Sequence, residues 1–203
     1  LMNRFYDVSR GSIEINGVDI RKYNLESLRA QIGYVAQKAH MFKGSIQSNI
    51  CFGKPEASVE EMVHAATVAQ ASDFISTREH GYEDEIAEDG TNISGGQKQR
   101  LSIARVILKK PSLYIYDDSF SALDFKTDAT LRKALKPEVK NAIFFVVAQR
   151  ISTIMDSDMI IVLDEGQIIG MGTHAQLLKD CSVYQEIAHS QLTQKELDDY
   201  ERN

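Results

Sequence analysis

Two spacings of hydrophobic residues alternate along the chain. From about Lys43 to Lys110 the pattern is helical. Val59, Met62, Val63 and Ala66 form an apolar stripe behind a Ser58-x-x-Glu61 capping box. Leu101, Ala104, Ile107 and Leu108 form a second stripe; Lys109 and Lys110 follow in its last turn, where cations suit the helix dipole, and Pro111 stops it. On either side lie short apolar runs that read as strands: Ile32–Ala36, Leu113–Tyr116, Ala142–Val147 and Met159–Leu163. The last two are continuous, which predicts strands buried on both faces, as in a parallel sheet. Asn16-Gly17 between Ser12–Ile15 and Val18–Ile20 predicts a two-residue hairpin. Asp164-Glu165-Gly166 turns the Met159–Leu163 strand into Gln167–Ile169. Asn24 caps a short helix through Leu25, Leu28 and Ala30, and Leu131, Ala134 and Leu135 mark a helix ended by Pro137. A Thr173-x-x-Gln176 capping box opens a helix through Leu177 and Leu178. Val183, Ile187 and Leu192 mark a last helix, and residues 193–203 form a polar, fraying tail. No repeat or low-complexity linker interrupts this order.

Composition narrows the class without naming it. The 203 residues suffice for one good core, and 43% hydrophobic with 26% charged content suits a soluble globular domain. The formal net charge of −6 speaks against non-specific nucleic-acid binding, which requires a basic face. No apolar stretch approaches membrane-spanning length, and no signal-peptide pattern is present. Cys51 and Cys181 match no metal spacing and read as reduced, structural thiols of a cytosolic domain. The five histidines form no close cluster.

The chemistry concentrates in one stretch. Ser94, Gly95 and Gly96 precede the Leu101–Leu108 stripe and so lie at a helix N-terminus. Free backbone N–H groups point outward there, and glycine lets an anion come close. Ser94 can add a hydroxyl and Gln97 an amide. Alone, this is also how an ordinary glycine-rich N-cap looks. After the Leu113–Tyr116 strand come Asp117-Asp118-Ser119 and then Ser121-Ala122-Leu123-Asp124. A strand followed by an acidic pair is how phosphoryl-transfer enzymes present carboxylates at a sheet edge.

In this order the run resembles the ATP-binding domain of an ABC transporter. Ile93–Gln97 resembles the family's signature motif, Leu113–Asp118 its Walker B strand and Ser121–Asp124 its D-loop. Gln37, after Gly33-Tyr34-Val35-Ala36, sits at the Q-loop position, and Glu88-Asp89-Gly90 matches the acidic X-loop of exporters. That acidic turn reads equally as a solvated loop. The likeness runs to about Leu192. It implies an α/β fold of the P-loop NTPase (RecA-like) type, with a mostly parallel sheet and an inserted helical subdomain. The chain is then a single domain, with residues 1–43 and 111–192 in the core and 44–110 in the helical subdomain.

The resemblance also implies ATP and Mg2+ as ligands. Asp117 then holds the metal, Gln37 touches metal and attacking water, and Ser94, Gly95, Gly96, Gln97 and Asp124 contact nucleotide. Asp118 stands where the family carries a catalytic glutamate, and Gln149 where it carries a histidine that reaches the γ-phosphate. Both departures fall in one ATP site, while the signature stays close to consensus. Such a pattern resembles the degenerate-site half of a heterodimeric multidrug exporter, although aspartate is still a carboxylate. Implied partners are a transmembrane domain and a second ATP-binding domain, in a hetero- or homodimer at the cytoplasmic face of the membrane, and no nucleic acid. The phosphate loop Gly-x-x-x-x-Gly-Lys-[Ser/Thr] and the adenine-stacking aromatic are absent from this sequence. The chain is therefore expected to be a fragment lacking the N-terminal strands and that loop, and inactive alone. Competing readings are a non-catalytic regulatory half, an import-type subunit, and a DNA-repair or chromosome-organising ATPase. The last of these carries a coiled-coil insertion that is missing between Ser58 and Gly90.

Overall fold

The computed structural model describes residues 1–193. The expected polar tail lies outside them except for its first residue. The chain forms two compact units, Leu1–Val147 and a second that begins at Ala148.

The first unit opens with β1 (Glu14–Ile15) and β2 (Val18–Asp19), paired antiparallel. Asn16 (φ 52°) and Gly17 (φ 74°) both take the left-handed backbone that a tight hairpin with this twist requires. Helix α1 (Leu25–Ala30) starts where Asn24 Oδ1 accepts from the N–H groups of Glu26 and Ser27. Next come β3 (Ile32–Val35), β4 (Gly44–Ser45), α2 (Ile46–Cys51), α3 (Val59–Val68), α4 (Ser72–Ser76) and β5 (Glu85–Ile86). Then follow α5 (Gly95–Lys109), β6 (Leu113–Asp117), α6 (Phe125–Glu138) and β7 (Ile143–Val147).

Strands β3, β6 and β7 form a parallel sheet with β6 in the middle. Their register sets Val35 beside Tyr116 and Asp117 beside Val147. One face of the sheet carries α5, whose Leu101, Ala104, Ile107 and Leu108 are buried with Ile46, Ile50, Met62 and Ala66. The contact is close at Gly33. A Cβ there would sit 2.5 Å from Val106 Cγ1 and 2.7 Å from Pro111 Cγ, so the strand can approach α5 only as glycine. Tyr116 is fully buried in this core, and its hydroxyl finds no hydrogen-bond partner among the described residues. Arg105 fastens the loop after β3 to α5. Its Nε donates to the Asn49 carbonyl (2.8 Å) and its Nη2 to Asn49 Oδ1 (3.2 Å), while Asn49 brackets the backbone of Phe42. The guanidinium lies over the stacked Phe42 and Phe52 rings, and burial brings it down to about 10.

Three expectations need correction. The stretch from Lys43 to Lys110 is not helical throughout, because β4 and β5 pair antiparallel within it. Gly44 opens β4 at φ 143°, a backbone that favours glycine, and Asn92 pins β5 by donating to the Glu85 carbonyl and accepting from the Ala87 N–H. Pro137 does not end α6. It costs one hydrogen bond in the last turn, while the Val139 N–H still reaches the Leu135 carbonyl at 3.1 Å. Nor are the two apolar runs buried on both faces. In β7, Phe144 and Val146 pack on the core while Ile143 stays 67% exposed.

The second unit contains α7 (Ile151–Ile154), β8 (Ile160–Asp164), β9 (Gln167–Gly172), α8 (His174–Asp180) and α9 (Ser182–Gln191). Strand β8 pairs antiparallel with β9 through Glu165 and Gly166, both at positive φ. Its Ile160 and Val162 are buried and its Leu163 is 66% exposed, the alternation of a one-faced strand. Helix α8 starts in the expected capping box of Thr173 and Gln176. Among the described residues, no helix is long and apolar enough to cross a membrane.

Candidate functional site

The first unit presents two polar ends. One is the N-terminus of α5. Ser94 Oγ accepts from the Gln97 N–H (3.3 Å), and the Ser94 N–H donates to Gln97 Oε1 (3.0 Å). This capping box satisfies the helix end from within. Sequence reasoning gave the Ser94 hydroxyl and the Gln97 amide to a ligand and overlooked the Ser-x-x-Gln spacing that signals the box. The two glycines differ. A Cβ on Gly95 would meet nothing within 4 Å, whereas one on Gly96 would press on the Ala122 carbonyl at 3.3 Å. Gly95 is thus the open position, and Gly96 seats the helix end against the loop that leads to Asp124. No acidic residue occupies the first turn of α5, so its dipole faces outward uncompensated.

The other end is the C-terminal edge of β3 and β6. Asp117 closes β6, and Tyr34 Oη donates to its Oδ2 at 3.0 Å. Gln37 Nε2 donates to Asp118 Oδ2 at 3.1 Å, so the two meet directly. Asp118 holds a left-handed backbone (φ 45°), its N–H donating to the Val147 carbonyl and its carbonyl accepting from Ser121 Oγ. Buried Ser119 donates to the Val35 carbonyl at 3.0 Å and fixes the turn to β3. Burial and the adjoining Asp117 carboxylate push the Tyr34 phenol up. The oxygens of Asp117, Asp118 and Gln37 are the hard donors that a magnesium ion takes while keeping several waters. Among the described residues, no group of three or more His, Cys, Asp or Glu side chains could cage a metal alone.

Asp124 is occupied as the N-cap of α6. Its Oδ2 accepts from Thr127 Oγ1 (2.7 Å) and its Oδ1 from the Thr127 N–H (2.9 Å), and these bonds hold its carboxyl below the usual range. In the acidic turn, Glu88 and Asp89 are exposed and Asp89 takes φ 55°, with Lys98 Nζ on its carbonyl at 2.7 Å. Gln149 belongs to the second unit, where its side chain is exposed and its carbonyl accepts from Gln191 Nε2 at 2.8 Å. Two residues escaped sequence reasoning. Tyr34 reaches Asp117 only because the parallel register sets it diagonally across from β6. Gln99, in the second turn of α5, is buried and donates from Nε2 to the Ala36 carbonyl at 3.1 Å.

The family described as "ABC transporter" matches residues 1–121. The chain belongs to the ABC transporter family. It is 46% identical over 187 residues to the "Putative multidrug export ATP-binding/permease protein YgaD" of Bacillus subtilis, covering 92% of this chain and 32% of that protein. It is 40% identical over 195 residues to "Heavy metal tolerance factor 1" of Caenorhabditis elegans, covering 96% of this chain and 24% of that one. Among solved structures it resembles a bacterial Atm1-family ABC exporter with ATP bound, at a TM-score of 0.90 and 38% identity, over 93% of this chain and 33% of the other. The chain spans a quarter to a third of the length of these relatives.

Proposed function

We propose that the chain is the nucleotide-binding domain of an ABC exporter, coupling ATP binding and hydrolysis to transport across a membrane from its cytoplasmic face. Residues 44–110 act as the helical subdomain that presents the signature, and the rest as the RecA-like core. The observation that carries this reading is the pair of polar ends in one unit: a bare, uncompensated helix terminus at Gly95 and a fixed carboxylate edge at Asp117 and Asp118. Such ends serve two different nucleotides. The α5 end contacts ATP held by a second ATP-binding domain, through Ser94, Gly95, Gly96 and Gln97, with Asp124 on the adjoining loop. The β6 edge serves the chain's own nucleotide, with Asp117 and Gln37 toward magnesium and Asp118 toward the attacking water. Magnesium, when bound, neutralises charge on the transferring phosphate. Gln37 orients Asp118 by its amide hydrogen bond, and Tyr34 orients Asp117.

A second reading is a half that supplies its signature but hydrolyses little at its own site. The short side chain of Asp118, already engaged by Gln37, favours it, as does Gln149, which cannot bring a positive charge to a γ-phosphate. Gly95→Asp in the full-length protein tests the leading reading. Added charge at the helix end should cut ATPase activity by about 100-fold or more. Folding should persist, because nothing lies within 4 Å of the new Cβ. Unchanged turnover would sink the signature assignment.

A further inference from the structure

Gln99 joins the two polar ends. It is 1% exposed, and its Nε2 donates to the Ala36 carbonyl at 3.1 Å, across the close contact of α5 with β3. A buried amide costs stability unless it is bonded, and a thioether or alkyl chain of like length would fill this place at lower cost. What the amide adds is a directed link. Ala36 is followed by Gln37, whose side chain holds Asp118 at 3.1 Å. At the other end, Gln99 lies one turn beyond Gly95 on the same helix. The Arg105 network ties α5 to Asn49 of α2, and the Gly33 contact packs α5 closely on β3.

We propose that Gln99 is a positioning residue that ties the placement of the α5 N-terminus to Gln37, so that a nucleotide seated at Gly95 is felt at Asp118. This rests on the reading of the α5 end as nucleotide-binding. Amide hydrogen exchange in the full-length protein tests it, with and without ATP and Mg2+, followed in peptides covering residues 36–40 and 94–100. Gln99→Met removes the donor and keeps the length, and Gln99→Leu serves where that variant fails to fold. Without nucleotide, exchange in 36–40 should rise about tenfold in the variant, the worth of one hydrogen bond. With ATP, the wild type should slow exchange in both segments, and the variant only in 94–100. Unchanged exchange in 36–40 without nucleotide would overturn the link. Slowing of 36–40 by ATP in the variant, as in the wild type, would show that another route carries the signal. If ATP slows 94–100 in neither protein, the nucleotide reading of α5 has failed separately, and the transmission proposal falls with it.

Discussion

The N-terminus of α5 and the edge of β6 solve the same problem in opposite ways. At α5 the polar groups bond to each other within four residues, Ser94 with Gln97. At β6 they bond across the fold: Tyr34 to Asp117 over 83 residues, and Gln37 to Asp118 over 81. The first arrangement is complete once a helix forms and leaves Gly95 bare. The second exists only when β3 and β6 are in register, so the carboxylates are placed by tertiary structure. One end is therefore a rigid donor surface offered outward. The other is an acceptor set whose geometry is fixed by the pairing of β3 with β6.

The contrast is sharpest in what repair should achieve. In the full-length protein, with the catalytic carboxylate of the partner domain disabled, Asp118→Glu together with Gln149→His should raise hydrolysis about 100-fold, the range of a well-placed general base. Near-silence is expected in the unreplaced control. Robust turnover in that control would show that Asp118 already works, and the weak-site reading would go.

Tyr34→Phe probes the long-range end at smaller scale. Losing the phenol frees the Asp117 carboxylate, and the half-saturating magnesium concentration for ATPase activity should rise about tenfold, as for other supports of metal ligands. A pH experiment checks the same bond. A phenol whose pKa is raised on folding adds stability below the ordinary tyrosine value of about 10 and loses it as pH rises through the folded value. The Phe variant should therefore lose less stability than the wild type above pH about 10. Equal loss would remove Tyr34 from Asp117.

Much of this organisation is legible from residues alone. The Asn16-Gly17 hairpin, the Ser58 and Thr173 capping boxes and the β6 strand follow from local patterns, and all are present. Elements that depend on distant pairing were not legible. Gly44–Ser45 is a strand only because Glu85–Ile86 lies beside it. The one-faced burial of β7 and β8 likewise depends on which neighbours cover each face, and an apolar run does not encode that. Tyr34 and Gln99 are invisible for the same reason, since an alternation in β3 and a polar position in α5 name no partner.

The smallest expected effect falls on the local end. Ser94→Ala removes the cap acceptor and should cost about 1 kcal/mol of stability in denaturant unfolding. Because Gly95 and the helix dipole remain, ATPase activity should fall less than with Gly95→Asp. A Ser94→Ala protein of unchanged stability and abolished activity would mean that the hydroxyl belongs to the nucleotide and not to Gln97.

The buried hydroxyl of Tyr116 has an optical consequence. The sequence holds eight tyrosines and no tryptophan, so phenolate absorption is not overlaid by indole. Burial, reinforced by Tyr114, drives the Tyr116 phenol far above the ordinary tyrosine range. It therefore keeps its proton while the strand stays packed, and forms phenolate only when β6 leaves the core. In alkaline solution, the last rise in phenolate absorbance, after the smaller upward shifts of Tyr34 and Tyr114, becomes a label-free signal for the opening of β6. That signal can be read on unmodified protein, without a dye or an engineered tryptophan.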